Sequence, residues 1–303
     1  MTMKPATLTS YKTRILRASV YLQSHLGDTI SLEQLASIAC FSPFHFHRIF
    51  RGMTGESVAA HVRRLRLERA ASRLRFSQKS VTDIAFEAGY ETHESFTRAF
   101  HTAFGNSPSD FRASRRPFSL AASANQIHYS ESGAPGEFDP PLPLSPPLEV
   151  RKRHLPPMQV AFLRHVGPYD SVGPTWGRLM MWAGGKGLLS GMTGILGVIH
   201  DDPEITAPAN QRYDAAVILR HADVLPDGEI GVQQIGPGEY AVAQHRGPYE
   251  KLVDTYARMC GEWLPESGYE LLAAPALEFY RNSPMDSAPE NLLTDIYLPL
   301  EVK

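Results

Sequence analysis

One carboxylate stands among aromatic residues near the end of the chain. In PALEFYRNSP, residues 275–284, Glu278 is flanked by Leu277, Phe279 and Tyr280. The run reads as a strand, and strand alternation puts Glu278 and Tyr280 on one face. A carboxylate facing a core must be paired, protonated or available to a cation, because an isolated buried charge is too costly. An exposed place on a sheet edge, or a neighbouring arginine, would satisfy the same residue. The pattern alone leaves these alternatives open.

Histidines form the other chemically suggestive group. His45, His47 and His93 invite a metal reading. Alternate residues of a helix do not share a face, and no cysteine or carboxylate joins them, so no metal is expected. No Ser–His–Asp, Cys–His or phosphate-loop arrangement is evident, so neither catalytic residues nor a cofactor is expected elsewhere. Cys40 and Cys260 lie far apart among apolar neighbours and read as reduced core thiols of a cytosolic protein. Neither a signal peptide nor a membrane span is expected.

The elements that must position these residues fall into two halves of opposite charge. Residues 1–116 carry 17 Lys and Arg against 9 Asp and Glu; residues 117–303 carry 13 against 23. A basic half suits a polyanion and an acidic half does not. Between them, residues 117–147 are rich in Pro, Ser, Ala and Gly and end in a proline run, which predicts an extended connection.

In the basic half, Ser31 is a good N-cap, and Leu32, Leu35, Ala36 and Ala39 make one apolar stripe. The pattern breaks at 40–42. Pro43 opens a second helix whose stripe is Phe46, Ile49, Phe50 and Met53, closed by Gly55. The same order returns about fifty residues on. Ile84, Ala85 and Ala88 match the first stripe, and Phe96, Arg98, Phe100 and Gly105 match the second, with one residue inserted in the turn. These are the parts of two helix-turn-helix motifs. The segment between them, 58–76, predicts a helix of roughly 28 Å, with Arg63, Arg64, Arg66, Arg69 and Arg73 largely exposed. Successive major-groove turns on one face of B-DNA lie roughly 34 Å apart, so one such helix can hold two reading helices over adjacent grooves.

Residues 14–115 resemble the AraC/XylS-type DNA-binding domain in the order SLEQLA, FSPFHFHRIFRGMTG, VTDIAFEAGY and SFTRAFHTAFGNSPSDFR. The resemblance implies base readers at Phe44, His47 and Arg48, with His47 exposed and His45 partly packed. In the second motif it implies readers at His93, Glu94, Ser95, Thr97 and Arg98. Arginine forks onto guanine edges and an apolar ring touches thymine methyls. Glu94 departs from the amide or small residue expected there.

The acidic half repeats itself. HVGPYDSVGPTW, 165–176, returns as HRGPYEKLVDTY, 245–256. At an offset of 80, Trp176, Leu179, Met180 and Ala183 meet Tyr256, Met259, Cys260 and Trp263 on one helix face, and Gly-Pro is expected to begin that helix. At an offset of 81, GILGVIHDDP meets PALEFYRNSP, so Gly197 is the counterpart of Glu278. Each copy, 148–228 and 229–303, reads as strand, helix, strand, strand. A cleft at their junction is a natural ligand site.

Residues 148–303 resemble the GyrI-like effector-binding domain in the doubled module, the His-x-Gly-Pro-Tyr turn and the closing Glu-x-Tyr-x-Asn-x-Pro segment. The resemblance implies that Glu278 pairs with a cationic, lipophilic ligand in a cleft lined by Tyr169, Trp176, Tyr249, Tyr280 and Tyr297. The expected fold is multidomain, an all-α double helix-turn-helix domain followed by an α+β domain of pseudo-symmetric duplicated modules. The expected function is a transcription regulator whose partners are double-stranded promoter DNA, RNA polymerase and a small-molecule effector. The alternatives are a hydrolase of small electrophiles using Glu278, and a module that recruits a protein partner.

Overall fold

The computed structural model describes residues 5–28, 30–114, 123–133, 138–143, 146–220 and 224–301. It divides into two compact units, Met1–Leu142 and Pro143–Lys303, referred to below as the helical and the sheet unit. No helix among the described residues is long and apolar enough to cross a membrane.

The helical unit begins with α1 (Pro5–Ser24). Its first motif is α2 (Leu32–Ile38) and α3 (Pro43–Thr54). Ser31 caps α2 in a capping box with Gln34, each side chain accepting the other's backbone N–H. The long helix α4 (Val58–Phe76) follows, then the second motif, α5 (Val81–Glu87) and α6 (His93–Phe104), and α7 (Pro108–Ser114). Left-handed Gly55 and Gly105 end α3 and α6. The second motif packs Ile84, Ala85, Phe96 and Phe100, together with Phe111 of α7, against Leu67, Ala71 and Leu74 of α4.

Three expectations are corrected here. Of the α4 arginines only Arg63 is exposed; Arg64, Arg66, Arg69 and Arg73 are half-buried. Guanidinium groups hold the carbonyls that helix ends leave unpaired. Arg66 Nε donates to Leu26 O at 2.8 Å, and Arg69 Nη2 donates to Glu87 O at 2.8 Å. Arg73 pairs with the Glu87 carboxylate. Cys40 is exposed rather than a core thiol, in a turn residue with φ of 54°. Residues 123–133 and 138–142 fall within the helical unit, and several of them bond to its helices. A loop rich in polar groups can dock when its backbone groups find partners, and composition does not report those partners.

Glu56, just past α3, accepts from His61 Nδ1 at 2.7 Å and from Arg64 Nη2 at 2.6 Å. Burial raises its carboxyl, but these bonds outweigh it and bring the pKa from 4.5 down to about 2. A carboxylate held lower in the folded than in the unfolded chain stabilises the fold above its unfolded pKa, and that contribution is lost on protonation. The helical unit is therefore expected to lose roughly 3 kcal/mol as pH falls from about 4.5 to about 2. Denaturant titrations of the wild type and Glu56→Gln would show it as a difference in slope over that range. Parallel curves would remove Glu56 from the acid response.

The sheet unit holds one eight-stranded antiparallel sheet in the order β1-β6-β8-β7-β3-β4-β2-β5. The first copy supplies β1 (Val150–Leu155), β2 (Met158–Val166), α8 (Gly173–Gly185), β3 (Met192–Ile199) and β4 (Arg212–Leu219). The second supplies β5 (Ile230–Ile235), β6 (Gly238–Arg246), α9 (Leu252–Arg258), β7 (Ala276–Tyr280) and β8 (Leu293–Leu300). Each copy thus has two strands before its helix where the sequence reading has one. The opening strands are exchanged: β1 pairs with β6 and β5 with β2. Their links cross closely, since a Cβ on Gly236 would lie 2.9 Å from Pro156 O.

The copies meet at β3 and β7, where Gly197 stands opposite Glu278. Repeat counterparts facing each other in register mark a pseudo-twofold axis through that pair. One face of the sheet buries Leu196, Val198, Leu277, Phe279, Tyr240 and Tyr297 in a single core. Helices α8 and α9 pack on the other face, against β2, β4 and β6.

Candidate functional site: two motif helices and a buried carboxylate

The outward face of α6 presents His93, Glu94 and Arg98 to solvent. Ser95 and Thr97 are half-buried. Ser95 belongs to the helix cap: its N–H donates to Thr92 Oγ1 at 3.1 Å and its hydroxyl to Thr92 O at 2.8 Å. His45 is buried on α3, and His47 and Arg48 occupy the repeat positions of Thr97 and Arg98 on α6. Phe44 lies within α3, and its side chain is outside the described residues.

In the sheet unit the repeated His-x-Gly-Pro-Tyr turn is a clamp. His245 Nε2 lies 3.2 Å from Pro248 O, and Nδ1 lies 2.8 Å from Thr255 Oγ1 in α9. A carbonyl only accepts, so Nε2 carries the proton and Nδ1 accepts from the threonine hydroxyl. Burial lowers the His245 pKa, which agrees with this neutral form. His165 repeats the arrangement with Pro168 and Thr175. Glycine is needed next to each clamp, because Gly167 and Gly247 sit at φ of 144° and 136° against the histidine rings. The repeated Gly-Pro pairs at 167–168 and 247–248 open short 3₁₀ turns, 169–171 and 249–251, and a further pair, Gly173-Pro174, begins α8 as expected.

These turns deliver their tyrosines to the Glu278 face. Glu278 is 6% exposed. Tyr256 donates its hydroxyl to Oε1 at 2.9 Å, and Tyr280 donates to Oε2 at 2.8 Å. The Tyr280 oxygen lies 2.9 Å from the Tyr213 hydroxyl, which accepts from Trp176 Nε1 at 3.1 Å. Trp176 stands edge-on to Tyr280 with ring centroids 5.9 Å apart; Tyr249 does the same at 5.5 Å. Tyr169 lies 5.9 Å from Tyr213 and donates its hydroxyl to Asp201 O. Burial raises the hydroxyl pKa of Tyr213, Tyr280 and Tyr249, and the Glu278 charge raises all three further. The rings therefore stay neutral around one carboxylate.

Gly197 is what admits this cluster. A Cβ there would lie 2.7 Å from both the Tyr213 and the Tyr280 hydroxyl oxygens. The copies differ at 197 and 278 because two tyrosines occupy the space a second side chain would need.

Four of the five expected aromatics join the cluster around Glu278: Tyr280 bonds to it, Trp176 and Tyr249 stand against Tyr280, and Tyr169 lies one ring further out, against Tyr213. Tyr297 does not join it. It pairs across from Leu277, one residue off Glu278, and alternation turns it to the opposite face, against Tyr240 and Phe279. Sequence reasoning missed Tyr213 and Tyr256. Tyr256 was signalled as the repeat counterpart of Trp176; Tyr213, in β4, had no such signal.

Comparison with known proteins agrees with this architecture. Residues 35–114 match the helix-turn-helix domain model, and residues 148–301 match the GyrI-like small molecule binding domain. The chain belongs to the GyrI-like family and joins that domain to an AraC-type helix-turn-helix domain. The probable transcriptional regulator YgiV of Escherichia coli (strain K12) is 31% identical over 156 residues, 50% of this chain and 96% of that protein. The uncharacterized HTH-type transcriptional regulator YbfP of Bacillus subtilis (strain 168) is 35% identical over 108 residues, 36% of this chain and 37% of that one. The transcriptional regulator Rob of Salmonella typhimurium is 34% identical over 95 residues, 31% of this chain and 33% of its own length. The chain thus spans about a third of the length of the last two. Among solved structures, the EcmrR C-terminal domain is 20% identical, covering 51% of this chain and 98% of that one at a TM-score of 0.42.

Proposed function

We propose that the chain is a transcription regulator that reads double-stranded promoter DNA with α3 and α6 and binds a small, cationic or lipophilic molecule at Glu278. The observation that carries the reading is the combination, in one chain, of a duplicated helix-turn-helix and a buried carboxylate ringed by neutral aromatics. The reading places Phe44, His47, Arg48, His93, Glu94, Ser95, Thr97 and Arg98 at DNA. It places Glu278, Tyr169, Trp176, Tyr249 and Tyr280 at the ligand, with Tyr213 and Tyr256 added. RNA polymerase as a partner and a cytoplasmic location belong to the same proposal. A face of neutral rings beside one carboxylate suits a flat or quaternary cation.

The site is taken as a binding site rather than a catalytic one. Both Glu278 oxygens accept from tyrosine hydroxyls, and Tyr280 is held firmly protonated. Hydroxyl donors on both oxygens favour the charged carboxylate that a cation needs, while each oxygen keeps a second acceptor site, so turnover is the discriminating measurement. Ester turnover that disappears in Glu278→Gln would favour hydrolysis instead.

The test is binding of the full chain to its own upstream DNA across salt concentrations. A defined site with affinity falling steeply as salt rises supports a phosphate-anchored reader. Equal affinity for every duplex sinks sequence reading. Arg98→Ala, on the exposed face of α6, is expected to cost about 1–3 kcal/mol on the selected site and to relax one base position. An equal loss on all sequences would make Arg98 a phosphate contact.

A further inference from the structure

The two reading helices are not held alike. At the end of α6, a Cβ on Gly105 would meet nothing within 4 Å. At the end of α3, a Cβ on Gly55 would lie 3.1 Å from Ala124 Cβ and 3.1 Å from Pro141 Cγ. Both neighbours come from chain beyond the second motif, in a stretch whose composition reads as linker.

The bonds around this contact are directed and mostly buried. Asn125 is 0% exposed. Its Nδ2 donates to Thr54 O, in the last turn of α3, at 2.8 Å, and to Glu56 Oε1 at 3.0 Å. Its Oδ1 accepts from Ile127 N at 3.0 Å, which closes the turn that presents it. Ile127 O accepts from Arg64 Nη1 at 2.8 Å. Glu68 of α4 accepts from Tyr129 N at 2.7 Å and from His128 Nδ1 at 3.1 Å. Ser130 N donates to Gln23 Oε1 of α1 at 2.9 Å. The segment thus bonds to α1, α4 and the last turn of α3, and none of these bonds reaches α5 or α6.

Two facts separate this from incidental packing. Glu68 is 5% exposed, and a carboxylate buried in mid-helix is costly without several donors. Two of its donors come from residues 128 and 129. Asn125 likewise satisfies an α3 carbonyl that the helix end leaves without an internal partner.

We propose that residues 123–130 are part of the DNA-reading machinery, as positioning residues that clamp the last turn of α3 and set the first reading helix from outside the helix-turn-helix repeat. The functional half of this inference rests on the DNA-reading proposal; the clamp itself does not. The consequence is a division of labour. The second reading helix is set by its own motif, and the first by a strap that also leads, along the chain, to the sheet unit.

The test uses the full chain and two variants, Asn125→Ala, which removes the bonds to Thr54 and Glu56, and Tyr129→Pro, which removes the backbone donor to Glu68 and restricts the backbone at 128–129. Hydrogen exchange is read separately for α3 and α6. The expected result is exchange about tenfold faster in the last turn of α3, with α6 unchanged as an internal control of folding. Unchanged exchange in α3 in both variants, or equal acceleration in α3 and α6, overturns the clamp. DNA binding is then read on the selected duplex with each half scrambled in turn. The wild type is expected to weaken on both, and each variant to respond to one half only. Variants as sensitive as wild type to both halves overturn the positioning role. A wild type that selects no duplex defeats the DNA-reading proposal, while exchange still decides the clamp.

Discussion

Glu278→Gln is expected to remove binding of a lipophilic cation while leaving the sheet unit folded. The amide has the carboxylate's shape: its oxygen keeps one of the two tyrosine hydroxyl bonds, and its NH2 can donate to the oxygen of the other tyrosine, so that bond is reversed rather than lost. What is lost is the charge. Truncating one partner of a desolvated charge pair costs roughly 2–5 kcal/mol, which is about 30-fold or more in affinity. The measurement is a titration of the wild type and the variant with tetraphenylphosphonium and with neutral triphenylphosphine oxide. The cation should lose its affinity and the neutral compound should change little. Equal losses for both would mean that the substitution disturbed the aromatic cluster, and equal retention would remove Glu278 from recognition.

Phe100→Ala should carry the largest cost in stability. Phe100 is 0% exposed and stands in contact with Phe96, Phe104 and Phe111, its ring centroid 5.5, 4.5 and 5.2 Å from theirs. Deleting a buried phenyl group loses its transfer energy and leaves a cavity, together about 3–5 kcal/mol. The first motif has its own core around Phe46, Ile49 and Phe50, all buried. Melting followed by exchange should therefore show α5, α6 and α7 opening well before α2 and α3. A single transition shifted as one unit would instead mean that the two motifs fold as one cooperative block.

Much of the fold was legible because its signals are local. Ser31, Pro43, Gly55, Gly105 and the apolar stripes each act within a few residues, and the structure places helix ends where they point. The doubled His-x-Gly-Pro-Tyr turn was visible as a repeat, but not its purpose. That purpose depends on Thr175 and Thr255, ten residues along the chain from each histidine. The exchange of β1 and β5 was hidden for the same reason. A strand's apolar pattern names the face it buries and not the partner it pairs with.

The site shows the same boundary. Strand alternation in residues 275–284 fixed that Glu278 and Tyr280 share a face, and the repeat fixed that Gly197 is the odd counterpart. Whether Tyr297 joined them depended on a register of one residue between β7 and β8, which only the pairing Leu277 to Tyr297 settles. Composition marked residues 117–147 as a linker, because Pro, Ser and Gly carry no periodic apolar face. Asn125 and Tyr129 are nevertheless bonded to the helical unit, because buried carbonyls and carboxylates there require donors wherever the chain can supply them. The sequence by itself determined two helix-turn-helix motifs, a duplicated module and one unusual glutamate, all through short-range periodicity and caps. The tertiary structure alone decided which tyrosines surround that glutamate, which arginines serve helix ends, and that a polar segment clamps α3, since each depends on side chains brought together from distant parts of the chain.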